Sequence, residues 1–531
     1  MLVDVTSAKS VGIDSIPVVV EVSIDRGIGV HLVGLADAAV KESLLRTVTA
    51  LQSMGFHIPG KKIVINLAPA DMHKNGSGFD LPIALGIIAA SEQRLLPGLE
   101  KYVIMGELGL DASVRDVPGA LPLAEMAQKA GFTGCILPMN SAKEAYEFRN
   151  LQIFAVRNLA EVLFILEEKE DSSGLLVWNR TDLFDISEDQ ETDEERYVDF
   201  SMIVGQEGAK RGAEIAAGGG HNLIFVGPPG SGKTSLAKAI AGILPPMTAE
   251  ESLVTSKLYS VVGRHSHSAG LMRRRPFRAP HYSASLPSLV GGGSGDNIIP
   301  GEVSLAHNGV LFLDELAQMP KAVLEALRGP IEDRHVVISR LKTKIEYPSS
   351  FMLVAATNPC PCGYYGEGDR CTCSEGRVRA YLSKLSGPIM DRIDLQVWIH
   401  PVATGTLVNR QRGESSEKVA ERVRMAREIQ KARFSAETIF TNAEMSGRQL
   451  EKYCPLTSEC KDMIQRIIDR MGLSARAFTR IIKLARTIAD LESVQIALES
   501  GAPPSAGPIL PRHLAEAAGY RFLDKRDLLN I

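Results

Sequence analysis

The octapeptide GPPGSGKT at residues 227–234 constrains the fold most, because it requires a particular strand–loop–helix unit. It fits the pattern G-x-x-x-x-G-K-[ST], in which backbone N–H groups surround a polyphosphate and bulky side chains would obstruct them. The apolar run NLIFV precedes it, and the helical pattern TSLAKAIAGIL follows it. A helix N-terminus that faces the phosphates completes this arrangement. The segment therefore predicts an α/β nucleotide-binding core.

Lys233 and Thr234 close the motif with side chains suited to phosphate chemistry. The lysine ammonium can reach the terminal phosphates, and the threonine hydroxyl can bind Mg²⁺. We therefore predict a site for ATP and Mg²⁺. The predicted nucleotide-binding residues are Gly227, Pro228, Pro229, Gly230, Ser231, Gly232, Lys233, Thr234 and Ser235.

Two further buried-strand patterns end in polar side chains. GVLFLDEL carries Asp314 and Glu315, and FMLVAATNP ends at Asn358. We expect Asp314 to orient the Mg²⁺ shell and Glu315 to polarise the attacking water. An amide at an adjacent strand tip, such as that of Asn358, can position this water. Together with Lys233, these residues predict a nucleoside triphosphatase.

Four cysteines follow Asn358 with the spacing C-x-C-x8-C-x-C: Cys360, Cys362, Cys371 and Cys373. Four thiolates at this spacing can surround a tetrahedral Zn²⁺ ion. The C-x-C pairs are tighter than the usual C-x2-C, so unligated thiols are the alternative. We predict a structural zinc ion, which would make the loop after Asn358 rigid.

Composition bounds the class of protein. The chain has 531 residues, enough for several domains, and its 45% apolar and 23% charged residues are typical of soluble globular proteins. The longest apolar run, at residues 81–90, is about half a membrane span. No signal peptide is visible, and seven cysteines do not make a secreted disulfide framework, so we predict a cytoplasmic protein. The net charge of -4 means that any nucleic acid must bind local basic patches.

The chain changes character along its length. Residues 1–167 alternate β-branched runs, such as PVVVEVSI, with helical patterns and predict a compact α/β unit. Residues 168–200 become acidic and predict a linker, with an ordered acidic strip as the alternative. The nucleotide motifs occupy residues 201–400, and helical patterns fill residues 401–531.

Several long segments resemble the magnesium-chelatase-like branch of the AAA+ ATPases, among them RPFRAPHYSASLPSLVGGG and YPSSFMLVAATNPCPCGYYG. Within that branch the chain is similar to the ComM/YifB family over essentially its whole length. The resemblance implies an AAA+ P-loop core with a helical lid and a homo-oligomeric, hexameric ring. It also implies a DNA helicase that performs branch migration during homologous recombination in natural transformation. A magnesium-chelatase-type or protein-remodelling ATPase is the alternative.

The same resemblance assigns roles to arginines that spacing alone does not reveal. Arg392, in LSGPIMDRIDLQ, matches the arginine finger that reaches the γ-phosphate of a neighbouring subunit, which requires an oligomer. Arg476, in GLSARAFTR, matches the sensor arginine of the helical lid, with Arg480 as the alternative.

The first unit resembles the catalytic domain of the Lon protease. In register with that pattern, the nucleophile position falls on Gly78, one residue from Ser77, and the lysine position falls on Leu121. Leucine cannot activate a hydroxyl, so we predict that the Ser–Lys dyad and peptidase activity are absent. We expect this unit to bind DNA or to organise the ring.

Two basic segments are candidates for DNA contact. By resemblance, GRHSHSAGLMRRRPFRAPH belongs to an insert that faces the central pore, although a solvated or subunit-bridging face fits it equally well. Its basic residues are Arg264, Arg273, Arg274, Arg275 and Arg278.

The segment RHVVISRLKTKIEYPSSF predicts a β-hairpin with a basic tip. Arg340, Lys342 and Lys344 at this tip are the preferred contacts with a phosphate backbone, which basic side chains can follow without reading bases. A merely solvated tip is the alternative.

Overall fold

The structure is a computed structural model of the chain. It describes residues 1–34, 38–70, 72–74, 76–180, 183, 197–264, 270–294, 297–340, 344–385, 387–402, 405 and 413–524. Within these ranges no helix is both long and apolar enough to cross a bilayer. The predicted α/β fold class is confirmed: one α/β unit precedes residues 184–196, a second follows them, and a helical region comes last.

The first unit packs helices against a mixed sheet and a small parallel sheet. Its strands are β1 (Leu2–Val11), β2 (Asp14–Asp25), β3 (Gly29–Val33), β4 (Lys62–Ala68), β5 (Tyr102–Ile104), β6 (Glu107–Leu108), β7 (Val114–Arg115), β8 (Gly134–Pro138) and β9 (Gln152–Val156). Its helices are α1 (Ala38–Ser53), α2 (Asp80–Ala90), α3 (Ala120–Ala130), α4 (Met139–Glu144) and α5 (Leu159–Glu167). The larger sheet has the order β1-β2-β4-β3, and the smaller one the order β5-β8-β9. Helix α2 is buried along its whole length, since apolar residues cover all of its faces.

Packing of the first unit continues past residue 167, where the sequence places the start of the linker. Val177 and Leu183 are buried in the same cluster as β8 and β9. Arg180 donates a 2.6 Å hydrogen bond to the Ala155 carbonyl and pairs with Glu161 at 3.1 Å. The sequence did not predict these contacts, because this acidic stretch contains only a few apolar residues. Residues 181, 182 and 184–196 of the predicted linker lie outside the described residues.

The second unit is a five-stranded sheet with helices and two hairpins. Its strands are β10 (Leu223–Val226), β11 (Phe277–Arg278), β12 (Gly291–Ser294), β13 (Asn297–Pro300), β14 (Val310–Leu313), β15 (His335–Ser339), β16 (Lys344–Pro348), β17 (Met352–Thr357) and β18 (Leu395–Trp398). Its helices are α6 (Glu207–Gly219), α7 (Lys233–Ile243), α8 (Ala249–Val261), α9 (Leu286–Val290), α10 (Glu302–Leu305), α11 (Lys321–Ala326), α12 (Arg328–Asp333), α13 (Glu375–Leu382) and α14 (Gly387–Met390).

The five strands of the main sheet are parallel and follow the order β11-β14-β17-β10-β18. The residues of β10, β14 and β17 are buried on both faces, because crossover helices cover a parallel sheet on both sides. The strand before the phosphate loop, β10, lies between β17 and β18. The carboxyl ends of these strands share one edge of the sheet, where ligands of open α/β folds bind.

Helices fill the C-terminal region. They are α15 (Ser416–Arg433), α16 (Gly447–Tyr453), α17 (Ser458–Met471), α18 (Ala475–Ser500) and α19 (Pro511–Gly519). We call these C-terminal helices the lid. Helix α15 packs against α6, α7 and α18, so one apolar core joins the lid to one face of the main sheet.

Helix α8 joins the first unit to the second. The buried ammonium of Lys257 lies 2.5 Å from Asp14 and 2.6 Å from Glu125, both in the first unit. One turn later, the Ser260 hydroxyl accepts a hydrogen bond from the Leu121 amide. The two units are therefore linked by ionic and hydrogen-bonding contacts.

Candidate active site

The phosphate loop connects β10 to α7, as predicted. Lys233, the first residue of α7, is buried and its ammonium donates 2.8 Å hydrogen bonds to the carbonyls of Gly227 and Pro228. A third bond of 3.2 Å reaches the side-chain carbonyl of Asn358. Burial lowers the pKa of Lys233, while the nearby carboxylates of Asp314 and Glu315 oppose this shift. A buried cation held by weak neutral acceptors suits the binding of phosphate oxygens.

Gly227 is required by close packing. A Cβ atom at this position would lie 2.5 Å from the Ile399 carbonyl, at the end of β18. The loop therefore leaves the sheet where no larger residue fits.

Asp314 and Glu315 follow β14 on the same edge of the sheet. The Thr234 hydroxyl lies 3.4 Å from one carboxylate oxygen of Asp314, so the two predicted Mg²⁺ ligands are neighbours. The other oxygen of Asp314 accepts a 2.8 Å hydrogen bond from the Glu315 amide. Glu315 has a φ of 51°, an unfavourable conformation for a residue with a side chain, of the kind that occurs at functional sites. Hydroxyl and carboxylate oxygens fit Mg²⁺, which also keeps several waters in its shell.

Arg392 lies at the amino-terminal ends of the strands, opposite the ends that carry the phosphate loop. Leu395, the first residue of β18, pairs with Leu223 of β10, and Arg392 precedes Leu395 by three residues. The four residues of β10 separate those ends from the phosphate loop by about 13 Å, at about 3.3 Å per residue. The guanidinium pairs instead with Glu332, at the end of α12.

The lid arginines lie at these amino-terminal ends as well. Arg476 pairs with Asp391, next to Arg392, and its side chain is 71% exposed. Arg480 donates a 3.0 Å hydrogen bond to the Ile393 carbonyl, and burial lowers its pKa. The structure thus places the predicted sensor arginine and its alternative beside the predicted finger, away from the phosphate loop of the same chain.

The four cysteines converge. The sulfur atoms of Cys360, Cys362, Cys371 and Cys373 all lie within 4.8 Å of one another, and three of the spacings are 3.3, 3.7 and 3.9 Å. Sulfur ligands of tetrahedral zinc lie about 3.8 Å apart, so the donor set fits this metal. Burial raises the pKa of Cys360, whereas the Tyr364 backbone N–H lowers the pKa of Cys362.

The cysteine loop contacts the phosphate loop at Gly363. A Cβ atom on this glycine would lie 2.7 Å from Cδ of Pro229, and its φ is 88°. Gly363 therefore seats the turn between Cys362 and Cys371 directly against the nucleotide site.

The arginines of the 264–278 segment differ in their surroundings. Arg273 is 86% exposed and pairs weakly with Glu147 at 3.6 Å, and Arg274 lies over the ring of Tyr197. Arg275 directs its guanidinium inward, to Glu251 at 2.9 Å and to backbone carbonyls.

The two remaining arginines of this segment share one acidic partner. Arg264 and Arg278 both pair with Glu302, at 3.5 and 2.6 Å. Within the segment, Arg273 and Arg274 are thus the arginines best placed to meet a partner.

The predicted hairpin is present. Strands β15 and β16 pair in antiparallel register, with Ser339 opposite Lys344. Alternate residues such as Ile338 and Ile345 are buried, which leaves Arg340 and Lys344 exposed at the tip. Lys342 lies outside the described residues.

Gly78 and Leu121, the two positions that we align with the Lon dyad, lie in closely packed surroundings. A Cβ atom on Gly78 would lie 3.1 Å from Cγ of Met105, and Leu121 is fully buried. Neither position offers a group that could act in peptide hydrolysis.

Sequence analysis missed Glu332 and Asn222. Asn222 precedes β10, donates to the Arg392 carbonyl at 2.9 Å and accepts from the Leu353 amide at 2.9 Å. Both residues act through strand pairing and helix packing that no local motif records. The polar residue immediately before the phosphate-loop strand was the only available signal for Asn222.

The sheet order and the three strand-end clusters define a P-loop ATPase of the AAA+ class. Sequence models described as "Magnesium chelatase, subunit ChlI", "Subunit ChlI of Mg-chelatase" and "Magnesium chelatase, subunit ChlI C-terminal" match residues 199–407, 20–141 and 413–521. "Competence protein ComM" of Haemophilus influenzae is 40% identical over 521 residues, 98% of this chain and 97% of the relative. "Uncharacterized protein YifB" of Salmonella typhimurium is 40% identical over 523 residues, with the same coverage.

A shorter similarity links part of the chain to a protease. "Archaeal Lon protease" of Methanocaldococcus jannaschii is 30% identical over 113 residues, 21% of this chain and 16% of the relative. The chain belongs to the ComM/YifB family of magnesium-chelatase-like AAA+ ATPases, with a Lon-protease-like domain before the ATPase core.

The contact between Gly363 and Pro229 predicts a specific defect. Gly363→Ala should weaken ATP binding about tenfold or more, because its methyl group displaces the phosphate loop. Gly368→Ala is the matched control, since Gly368 has a φ of 60° but no atom within 4 Å of an added Cβ. Titration with a fluorescent ATP analogue measures both affinities. Equal affinities of the two variants would contradict this prediction.

Proposed function

We propose that this protein is an ATP-driven motor that acts on DNA as a hexameric ring. One observation supports the ring: Lys233 and Arg392 lie at opposite ends of the strands of one parallel sheet. This placement supports a role for Arg392 at the ATP site of an adjoining chain. Arg476, beside it, would serve the same site.

The chain's own residues suggest how hydrolysis proceeds. Lys233 exchanges the carbonyls of Gly227 and Pro228 for phosphate oxygens. Thr234 and Asp314 would hold Mg²⁺, which neutralises phosphate charge when ATP is bound. Glu315 accepts a proton from the attacking water, and Asn358 orients that water. Arg392 of the neighbour leaves Glu332 and stabilises charge on the γ-phosphate.

The relative named a competence protein supports DNA as the substrate, because the similarity covers nearly the whole of both chains. We infer helicase and branch-migration activity during homologous recombination in natural transformation. The descriptions of the matching family models favour a second candidate, a chelatase-type or protein-remodelling ATPase. Stimulation of ATP hydrolysis by DNA distinguishes the two.

A four-way-junction assay tests the motor. We expect the wild type to open the junction and to hydrolyse ATP faster when DNA is present. Glu315→Gln should retain ATP binding but lose about 100-fold or more in kcat, because proton transfer to the carboxylate is removed. Glu417→Gln, on the exposed face of α15, is the control. A wild-type rate unaffected by DNA would favour the chelatase-type candidate.

The exposed hairpin tip is the proposed DNA contact, and Arg273 and Arg274 are secondary candidates. The basic side chains of the hairpin tip can follow a phosphate backbone in the pore of the proposed ring. Arg275 is the least suited of the predicted contacts, since its guanidinium already bonds within the chain.

Neutralising the tip should weaken DNA binding and its salt dependence. Arg340, Lys342 and Lys344 are changed together to glutamine. The slope of log K against log salt should fall by about 2, at about 0.7 per lost contact with a single strand. A control variant with Lys461→Gln, Arg466→Gln and Arg470→Gln, three exposed positions on α17, removes the same number of positive charges. Unchanged affinity and slope, with an unchanged unfolding temperature, would exclude the tip.

We also propose that the four cysteines bind one structural Zn²⁺ ion. The Tyr364 backbone N–H lowers the pKa of Cys362, which favours the thiolate form that binds zinc. All seven cysteines are free of disulfides, which agrees with the reducing cytoplasm as the proposed location.

Metal analysis tests the zinc site directly. Protein purified under reducing conditions should contain about one zinc per chain. Cys371→Ser should reduce this content and lower the unfolding temperature, because the loop loses a ligand. Cys135→Ser, which alters a buried thiol of β8, should leave the zinc content unchanged. Zinc well below one per chain in the wild type would overturn the assignment.

A further inference from the structure

Residues 391–394, which carry Arg392 into β18, form a segment that we call the finger loop. Asn222 holds it from the core: its side chain donates to the Arg392 carbonyl at 2.9 Å, and its own carbonyl accepts from the Asp394 amide at 2.9 Å. The same side chain accepts from the Leu353 amide of β17. The finger loop is thereby fixed to two strands of the ATPase sheet.

Two arginines of the C-terminal region hold the same loop from the other side. Arg480, on α18, donates to the Ile393 carbonyl at 3.0 Å and lies 3.5 Å from the Asp394 carboxylate. Arg521, which follows α19 and is 2% exposed, donates to the carbonyls of Ile393 at 2.5 Å and Asp394 at 3.0 Å. Carbonyls bonded to buried guanidinium groups make strong, directional contacts.

A buried histidine closes the arrangement. His221 has no exposed surface; one ring nitrogen lies 3.3 Å from the Asp394 carboxylate and the other 2.8 Å from the Thr487 hydroxyl of α18. The carboxylate of Asp394 is thus shared between the core and the lid. These contacts tie the position of the finger loop to that of α18.

We propose that Arg480 and Arg521 are positioning residues for the arginine finger, through which the lid of one subunit sets the reach of Arg392 into the next. This rests on the proposed action of Arg392 in trans. Positioning matters because a misplacement of about 1 Å can reduce a rate about 100-fold. The lid thereby links the state of one subunit to hydrolysis in its neighbour.

Mixed rings separate this role from a general structural one. The donor chain carries Glu315→Gln and supplies a finger but cannot hydrolyse ATP. The acceptor chain carries Arg392→Ala and has a complete ATP site but no finger. In an equal mixture, about a quarter of the sites combine an acceptor with a donor finger, so ATPase activity should return.

Arg480→Gln is then placed in one chain at a time. In the donor it should reduce the restored rate about tenfold or more, because the finger loop loses its lid contact. In the acceptor, which has no finger to position, the rate should stay within about twofold. Arg480→Lys in the donor, which retains the charge next to Asp394, should recover part of the loss. Arg521→Gln repeats the comparison with an independent contact.

Each outcome decides one question. If the parent mixture shows no activity, the trans role of Arg392 fails. If it is active but Arg480→Gln acts equally from both chains, or from neither, the positioning role is overturned. ADP binding and unfolding temperature of each variant are measured first; a variant that fails these checks is replaced by Arg521→Gln.

Discussion

The parallel pairing of β10 with β18 is the constraint on which the proposed chemistry depends. It places Lys233 after the end of one strand and Arg392 before the start of the next, on opposite edges of the sheet. The strands between the two groups are packed in the core, so the sheet cannot deform to bring Lys233 and Arg392 of one chain together. In the proposed ring, each chain therefore contributes residues to two ATP sites, and each complete site requires two chains.

Much of the fold and of the ATP site was predictable from sequence, because the chemistry of phosphate binding is local. The glycine loop, the Asp314–Glu315 pair and Asn358 each follow a strand recognisable by four or more apolar residues. The cysteine cluster was predictable for the same reason. Each of these signals lies within about fifteen residues of chain.

The features that the sequence did not reveal are contacts between residues that lie far apart in the chain. Glu332, the partner of Arg392, lies sixty residues before it, and Asn222 and Arg521 lie far to either side of the finger loop. The extension of the first unit to Leu183 depends on burial of a few apolar side chains in an acidic stretch. The inward direction of Arg275 follows from its contacts with Glu251 and Asn308 and not from its basic neighbours.

The pairing of Arg392 with Glu332 of its own chain has a thermodynamic consequence. In the proposed ring, Arg392 would exchange the Glu332 carboxylate, whose side chain is 59% exposed, for a more highly charged phosphate when two subunits associate around ATP. That exchange is favourable only while the terminal phosphate is present. Association of the subunits is thus linked to the nucleotide. Bound ATP stabilises the interface between two subunits, and hydrolysis of the ATP weakens it.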